Sequence, residues 1–485
     1  MITPQKWLPH LLAIDDRYLL ARALFLRLLA LIYLAAFVST AIEIQGLVGR
    51  DGILPADAYL DGLERAVGPL AWIRFPTLFW IDVSDTTLLL TCYAGILFSL
   101  ILLIGRLQTV ALIVLFLLYL SLFKVGQMFF NFQWEFLLLE AGFLAIFLVS
   151  GPSRLLLFLF HWLLFRLRFE SGLSKLASGD PNWAGLTTLN HYFETQPLPH
   201  IGSWYVHQLP EWLLRTGTGA TLLVELIVPF FIFLPRPFRL AAAIITILFQ
   251  LLIILTSNHN FINLLTIALC LFLIDDQAWR RALPWLKGSS ATVRQTPLMV
   301  AFALPLVAVL VVPTSIWSAW EYFAERPPVA WNHPANWVRG WGLGSVYHIF
   351  PNMQTQRHEL TIQGSSDGIN WSDYRFRYKP NAANEVPRFI VPLHPRLDWL
   401  IWFIPPQHAG MRPWFDGFMR GLARNSPAVT GLLAHNPFAG GSAPRYLRIL
   451  VHRYRFTTPG ERAATGNIWH SEYLGEFPRV PPRNP

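Results

Sequence analysis

Long apolar runs recur along this chain more often than any soluble core could absorb, and that recurrence constrains the fold before anything else does. A helix needs about 20 residues to cross a hydrocarbon layer ~30 Å thick. Nine segments satisfy that reading, near 18–43, 87–104, 108–123, 134–150, 154–175, 217–234, 238–256, 260–275 and 297–317. Composition agrees: 54% of the 485 residues are hydrophobic and 14% charged, far from a soluble balance. Residues 1–317 are therefore expected to form a polytopic α-helical membrane bundle of about nine spans. The first run, Leu28–Val38, follows Asp15, Asp16, Arg17, Arg22 and Arg27 without a small-residue cleavage pattern, so it reads as a retained span.

An odd number of spans puts the termini on opposite sides. Lys6, Arg17, Arg106, Arg154, Arg236, Arg239, Arg280, Arg281, Lys287 and Arg294 all fall on the N-terminal side, whereas the loop Ser257–His259 carries no Lys or Arg. Because cytoplasmic loops collect Lys and Arg, the N-terminus is expected in the cytoplasm and the C-terminal region outside. The net charge of +9 then records orientation, and no nucleic-acid partner is implied. Cys92 and Cys270 both sit inside apolar runs, where they offer neither a disulfide framework nor a thiol centre.

After Ile316 the pattern changes. Residues 318–485 hold no run long enough to span, and they alternate in "HELTIQG", "DYRFRYKP" and "RYLRILVHRYRF". Asp367-Gly368 between two alternating runs is a hairpin signal. In the last run Leu450, His452, Tyr454 and Phe456 share one face and Leu447, Ile449 and Val451 the other. These features predict an extramembrane β-sandwich, interrupted by helices around "WFDGFMRGLARN" and "AVTGLLAHNPF". Two long loops are expected on the outer face. Residues 44–86 end in the aromatic-rich "PLAWIRFPTLFW", suited to the lipid interface. Residues 176–216 are too long for a simple turn and rich in aromatics and proline, which predicts a packed cap.

Ionisable residues inside spans cost roughly 2.5 to 3.5 kcal/mol each on insertion scales and normally mark a partner or an aqueous cavity. In the fourth span Asn131 and Glu135 share one helix face, as do Gln133 and Glu140; Glu225 lies in the middle of the sixth, one turn before Pro229. The fifth span ends in Arg166, Arg168, Glu170 and Lys175. Arg168 and Lys175 lie on one face, and Arg166 and Glu170 are four apart. This cluster is placed to neutralise the acids of spans four and six, either to fix helix register or to line a functional polar cavity. In the second case Lys175, stripped of water, becomes a candidate general base, with Glu140 or Glu225 as its partner. His191, His200 and His207 have no metal-ligand spacing, and no metal site is expected.

Several longer stretches resemble a known family. "GQMFFNFQWEFLLLEAGFLAIF" (126–147), "SGLSKLASGDPNWAGLTTLNHYFETQPLPHIGSWYVHQLP" (171–210), "TSNHNFINLLTIALCLFLIDD" (256–276), "RHELTIQGSSDGINWSDYRFRYKP" (357–380), "LHPRLDWLIWF" (393–403) and "NPF" (436–438) are similar, in order, to the lipase maturation factor family. The resemblance implies a non-enzymatic membrane protein without a cofactor that helps exported lipases or other secreted clients to mature, in the endoplasmic reticulum of eukaryotes. The C-terminal "RVPPRNP" carries no retention signal for that compartment, so a bacterial inner membrane is the other expected location. Asp180, Trp183, His191, Glu194, Trp204 and Trp371 are the candidate client contacts on the outer regions. The redox folding linked to eukaryotic members finds no outward-facing cysteine here. A second resemblance, of "SGLSKLASGDPNW" to the vitamin K-dependent gamma-glutamyl carboxylases, implies instead a quinone-like lipid substrate with Lys175 as the base.

Overall fold

The computed structural model describes residues 7–282, 284, 297–324, 332–405 and 412–477; of the basic residues above, Lys6, Lys287 and Arg294 lie outside them. The membrane part is built from α1 (Leu19–Val48), α2 (Ala56–Val67, in the connection between α1 and α3), α3 (Asp85–Leu103), α4 (Gln108–Val125), α5 (Gln133–Leu148), α6 (Arg154–Ala177), α7 (Glu211–Leu226, prolonged by a 3-10 turn to Phe233), α8 (Arg236–Thr256), α9 (Ile262–Cys270), α10 (Leu298–Phe323) and α11 (Asn332–Gly340). Local chemistry sets several ends. Ser84 caps α3 by accepting from Thr87 N–H, and Ser153 caps α6 by accepting from Leu156 N–H, which satisfies donors that the helix itself cannot. Between α3 and α4 the chain reverses through Gly105 and Leu107, both at positive φ.

Helix ends alternate between two poles. At one pole Asp276 accepts Leu20 N–H, Arg22 donates to Leu148 and Val149 carbonyls, and Arg236 pairs with Asp275. At the other, Asp85 accepts Arg50 N–H, while Glu43, Glu135 and Asn258 meet residues of the C-terminal region.

Six helical stretches are long and apolar enough to cross a membrane, or seven if the pair Ile262–Leu273 and Asp276–Ala282, bent by 109°, counts as one span. This differs from the nine expected, and the two that drop out are α5 and α6. At 16 residues α5 rises only about 24 Å, and α6 carries Arg166, Arg168, Glu170 and Lys175. Both are lined with buried residues, so neighbouring helices, more than lipid, are their solvent.

The C-terminal region contains one antiparallel sheet, order β2-β1-β3-β4, from β1 (Arg357–Ser365), β2 (Ser372–Tyr374), β3 (Tyr446–Phe456) and β4 (Trp469–Glu476). Where a sandwich is expected, no second sheet is found among the described residues. Helical segments do its work: Ile362 and Ile449 are cross-strand partners on the inner face, in one apolar core with Ile401, Trp414 and Phe418, which belong to the turn Ile401–Phe403 and to α12 (Arg412–Ala423). A second surprise is the hairpin. Asp367 does not make a two-residue turn; its carboxylate accepts Ile369 and Asn370 N–H, opening the β1–β2 connection into a wider loop.

Bundle and sheet share one hydrophobic core running from Leu12 to Ile449, and a second cluster packs Tyr454, Phe456 and Trp469 of the sheet against Phe193, Trp204 and Leu214. Contact between them is close: a Cβ on Gly46 of α1 would stand 2.5 Å from the Ala428 carbonyl oxygen, so only glycine admits the C-terminal helix there. Between α2 and α3, Leu70, Trp72, Ile73 and Ile81 are exposed, and the Trp72 and Trp80 rings stack at 5.5 Å, an arrangement suited to the lipid interface.

Candidate functional site

The charges of α6 converge on the segment 344–353, which follows α11 and is neither helix nor strand. Glu140 pairs with Arg166 and accepts Gly344 N–H at 2.9 Å. Arg166 donates onward to the Ser345 carbonyl, at 3.1 Å. Glu170 accepts Tyr347 N–H at 2.8 Å. The Lys175 ammonium donates to the Ile349 carbonyl at 2.8 Å and to Ser171 at 3.1 Å, and its third partner is Glu225 at 2.7 Å. Just beyond the helix, Trp183 donates to the Phe350 carbonyl at 3.3 Å and Asp180 accepts Met353 N–H at 2.7 Å. Carboxylates take the amides and cations take the carbonyls. Among the described residues no strand pairs with this segment, and its buried backbone groups are satisfied by side chains. Gly344 enters at φ +67, and a Cβ there would stand 2.9 Å from Thr314, so the entry point accepts no larger residue without strain.

The residues singled out in the sequence are thus largely brought together. Arg168 and Lys175 both reach Glu225, at 3.2 and 2.7 Å. Arg166 takes Glu140 in place of Glu170, whose carboxylate serves the segment. Gln133 Nε2 lies 3.0 Å from His348 Nε2, at the segment's side. Asn131 is exposed and outside the cluster. The Lys175 ammonium donates to two carbonyls and stands as an ion pair with one carboxylate, an arrangement that holds a chain in place.

A second buried joint was not anticipated. Its signal in the sequence is a His, an Arg and an Asp inside the apolar run "LHPRLDWLIWF". Arg396 is fully buried; its guanidinium lies 3.9 Å from the Phe130 ring and donates to Glu135 at 2.9 Å, while its backbone N–H donates to Glu43 at 2.8 Å. Glu135 also accepts from Tyr119 and, at 3.1 Å, from Trp134. The His394 ring stands among Phe132, Trp134 and Trp399, with its backbone N–H on Ser39. A third knot, on β1, joins Arg357, Glu359 and Lys379. Burial alone would lift Glu359, but the two cations beside it outweigh that and hold its carboxyl below 4.5. Arg357 continues to the carbonyls of Gln196 and Pro197, at 2.5 and 3.2 Å, and so grips the cap.

The cap itself, residues 176–216, is packed against the sheet. Glu194 accepts Phe456 N–H at 3.0 Å, and Trp204 donates to the Thr457 carbonyl at 3.0 Å. Burial, with His191 nearby, pushes His207 down to about 4. Of the six candidate client contacts, Asp180, Trp183, Glu194 and Trp204 are therefore occupied inside the protein. His191 is half-buried, and Trp371 lies at the open end of the sheet with the Arg448 guanidinium 4.1 Å from its ring. Among the described residues no group of three or more His, Cys, Asp or Glu is arranged to hold a metal ion. Cys92 and Cys270 are free and buried.

Fold and site together define an integral membrane protein whose C-terminal sheet region is fastened to one pole of its helical bundle by buried charge. Comparison with known proteins makes the assignment specific. Residues 20–281 match the lipase maturation factor transmembrane domain and residues 343–479 the lipase maturation factor C-terminal domain. The chain is 33% identical over 507 residues to lipase maturation factor 1 of Mus musculus, covering 94% of this chain and 86% of the relative. It is 32% identical to lipase maturation factor 2 of Xenopus laevis (94% and 82% covered) and to lipase maturation factor 1 of Homo sapiens (94% and 87%). No solved structure matches. This chain belongs to the lipase maturation factor family.

Proposed function

We propose that the protein assists the maturation of exported lipases or similar secreted clients, and that it does so as a rigid platform without catalytic chemistry of its own. In this reading α5 and α6 also cross the bilayer, giving nine passages, with the N-terminus in the cytoplasm and the sheet on the periplasmic or lumenal side. Support comes from the two poles, between which all nine helices alternate, and from Arg17, Arg22, Arg106, Arg154, Arg236 and Arg239, which gather at the pole opposite the sheet. The two carbonyls and the carboxylate around Lys175 favour an anchoring role over the base implied by the carboxylase resemblance.

The client face is the open end of the sheet. Trp371 and Arg448 stack there, Gln363 accepts from Arg448 at 2.7 Å, and Tyr446 and Tyr473 are 47% and 57% exposed on the same face. Aromatic and Arg side chains of this kind are the usual anchors of protein contacts. The single observation that carries the reading is that the C-terminal region is locked to the bundle on one side and, among the described residues, nothing covers this aromatic face. Co-purification with a secreted lipase from native membranes tests it: Trp371→Ala with Arg448→Ala should lower client recovery at least fivefold at unchanged thermal stability. Undiminished recovery would sink the assignment of this face. Orientation is read with Ile369→Cys, whose position is 81% exposed; a membrane-impermeant maleimide should label it from outside, and the buried native cysteines should stay silent.

A further inference from the structure

Between α4 and α10 the wall of the bundle is open. Phe143 of α5 forms the floor of a recess there, Phe116 one side, Val307 and Val311 the other, and Trp337 and Trp341, from α11 and the residue after it, the roof. The recess measures about 170 Å³ and is lined only by apolar and aromatic side chains. Phe116 is midway along Gln108–Val125, and Val307 and Val311 are midway along Leu298–Phe323, both stretches able to cross a membrane. Beside the opening, Ile113, Leu306 and Val309 are 40%, 59% and 68% exposed. The mouth therefore faces hydrocarbon, not water.

Such a space has few possible contents. Water needs two to four polar partners, and apolar cavities of roughly 150 Å³ stay dry yet admit a six-carbon guest. Left empty, the lining would lose its dispersion contacts on one side. We propose that the recess holds about six carbons of one acyl chain of a bilayer phospholipid, the chain entering beside the half-exposed Trp337. A quinone head would bring carbonyl oxygens to a lining that offers them no designed donor, and a fused-ring sterol exceeds the width of a six-carbon guest. The site is separate from the client face and does not depend on that reading.

Native mass spectrometry of the full chain, purified in mild detergent, tests the proposal. The unaltered protein should retain one phospholipid per chain through extended detergent washing. Val307→Phe, which fills the recess, should lower that retention at least tenfold, whereas Leu306→Phe, on the neighbouring lipid-facing surface, should leave it unchanged. If Val307→Phe does not fold, Val311→Ile is used in its place, together with re-addition of phosphatidylethanolamine vesicles to delipidated protein, which should restore one adduct to the unaltered chain and not to the variant. Equal retention in the filled variant, no retained lipid in the unaltered chain, or recovery of a free fatty acid or quinone in place of phospholipid would each overturn it.

Discussion

The seam along α6 and the joint at Arg396 both bury charge between the bundle and the C-terminal region, yet they read different atoms of the partner. At the seam, bundle side chains hold backbone amides and carbonyls of 344–353. At the joint, side chain meets side chain, as in Arg396 on Glu135, with Glu43 taking a single backbone N–H. The seam should therefore tolerate changes in the side chains it holds, while the joint should tolerate almost none. This is the difference between fastening a chain and fastening a residue.

The largest expected effect is at the joint. Arg396→Met leaves Glu135 buried with only neutral donors and should cost about 3 to 5 kcal/mol, seen as a lowered unfolding midpoint in detergent. Adding Glu135→Leu should recover most of that loss; no recovery would mean that the ion pair is not what the arginine serves. Arg166→Met comes next, at roughly 2 to 4 kcal/mol, because Glu140 keeps the Gly344 N–H. It should also make residues 341–350 sensitive to protease, and stability loss without new cleavage would break the contrast between the two sites. Lys175→Met should cost only about 1 to 2 kcal/mol, since Arg168 still pairs with Glu225. Tyr347→Phe should change stability by less than about 0.5 kcal/mol: its ring is buried and its hydroxyl has no hydrogen-bond partner among the described residues, so the seam should be indifferent to it.

Acid sharpens the comparison on the sheet side. Glu359 has a folded pKa held below its unfolded value of 4.5 by Arg357 and Lys379. A depressed carboxylate contributes stability that is fully present above 4.5 and is lost as pH falls through the lower folded value. Unfolding midpoints should therefore decline below pH 4.5 in the unaltered protein, and less steeply in Glu359→Gln. Identical slopes would show that this knot does not govern acid sensitivity.

Much of the bundle was legible in the sequence, because lipid permits few solutions for an apolar run, and Glu140, Glu225, Arg166, Arg168 and Lys175 announced themselves as charges without water. Their use was not legible. The partners of Glu140, Glu170 and Lys175 include peptide groups of 344–349, and a peptide group looks the same at every position in a sequence. Arg396 and Glu43 were missed for another reason: they are 353 residues apart, and neither stood inside a pattern that names its partner. The alternation in β1 and β3 gave the strands and their faces. It could not show that helices would cover the inner face, since an apolar surface specifies that it must be covered and not by what.

Gly344, Tyr347 and Met353 present their amides to three fixed carboxylates, so the stretch works as a ruler. Relatives should keep Gly344 and accept drift in the letters after it, but not in their number. One inserted or deleted residue would put amide against ammonium and carbonyl against carboxylate along the whole ledge, turning a fastener into a row of mismatches.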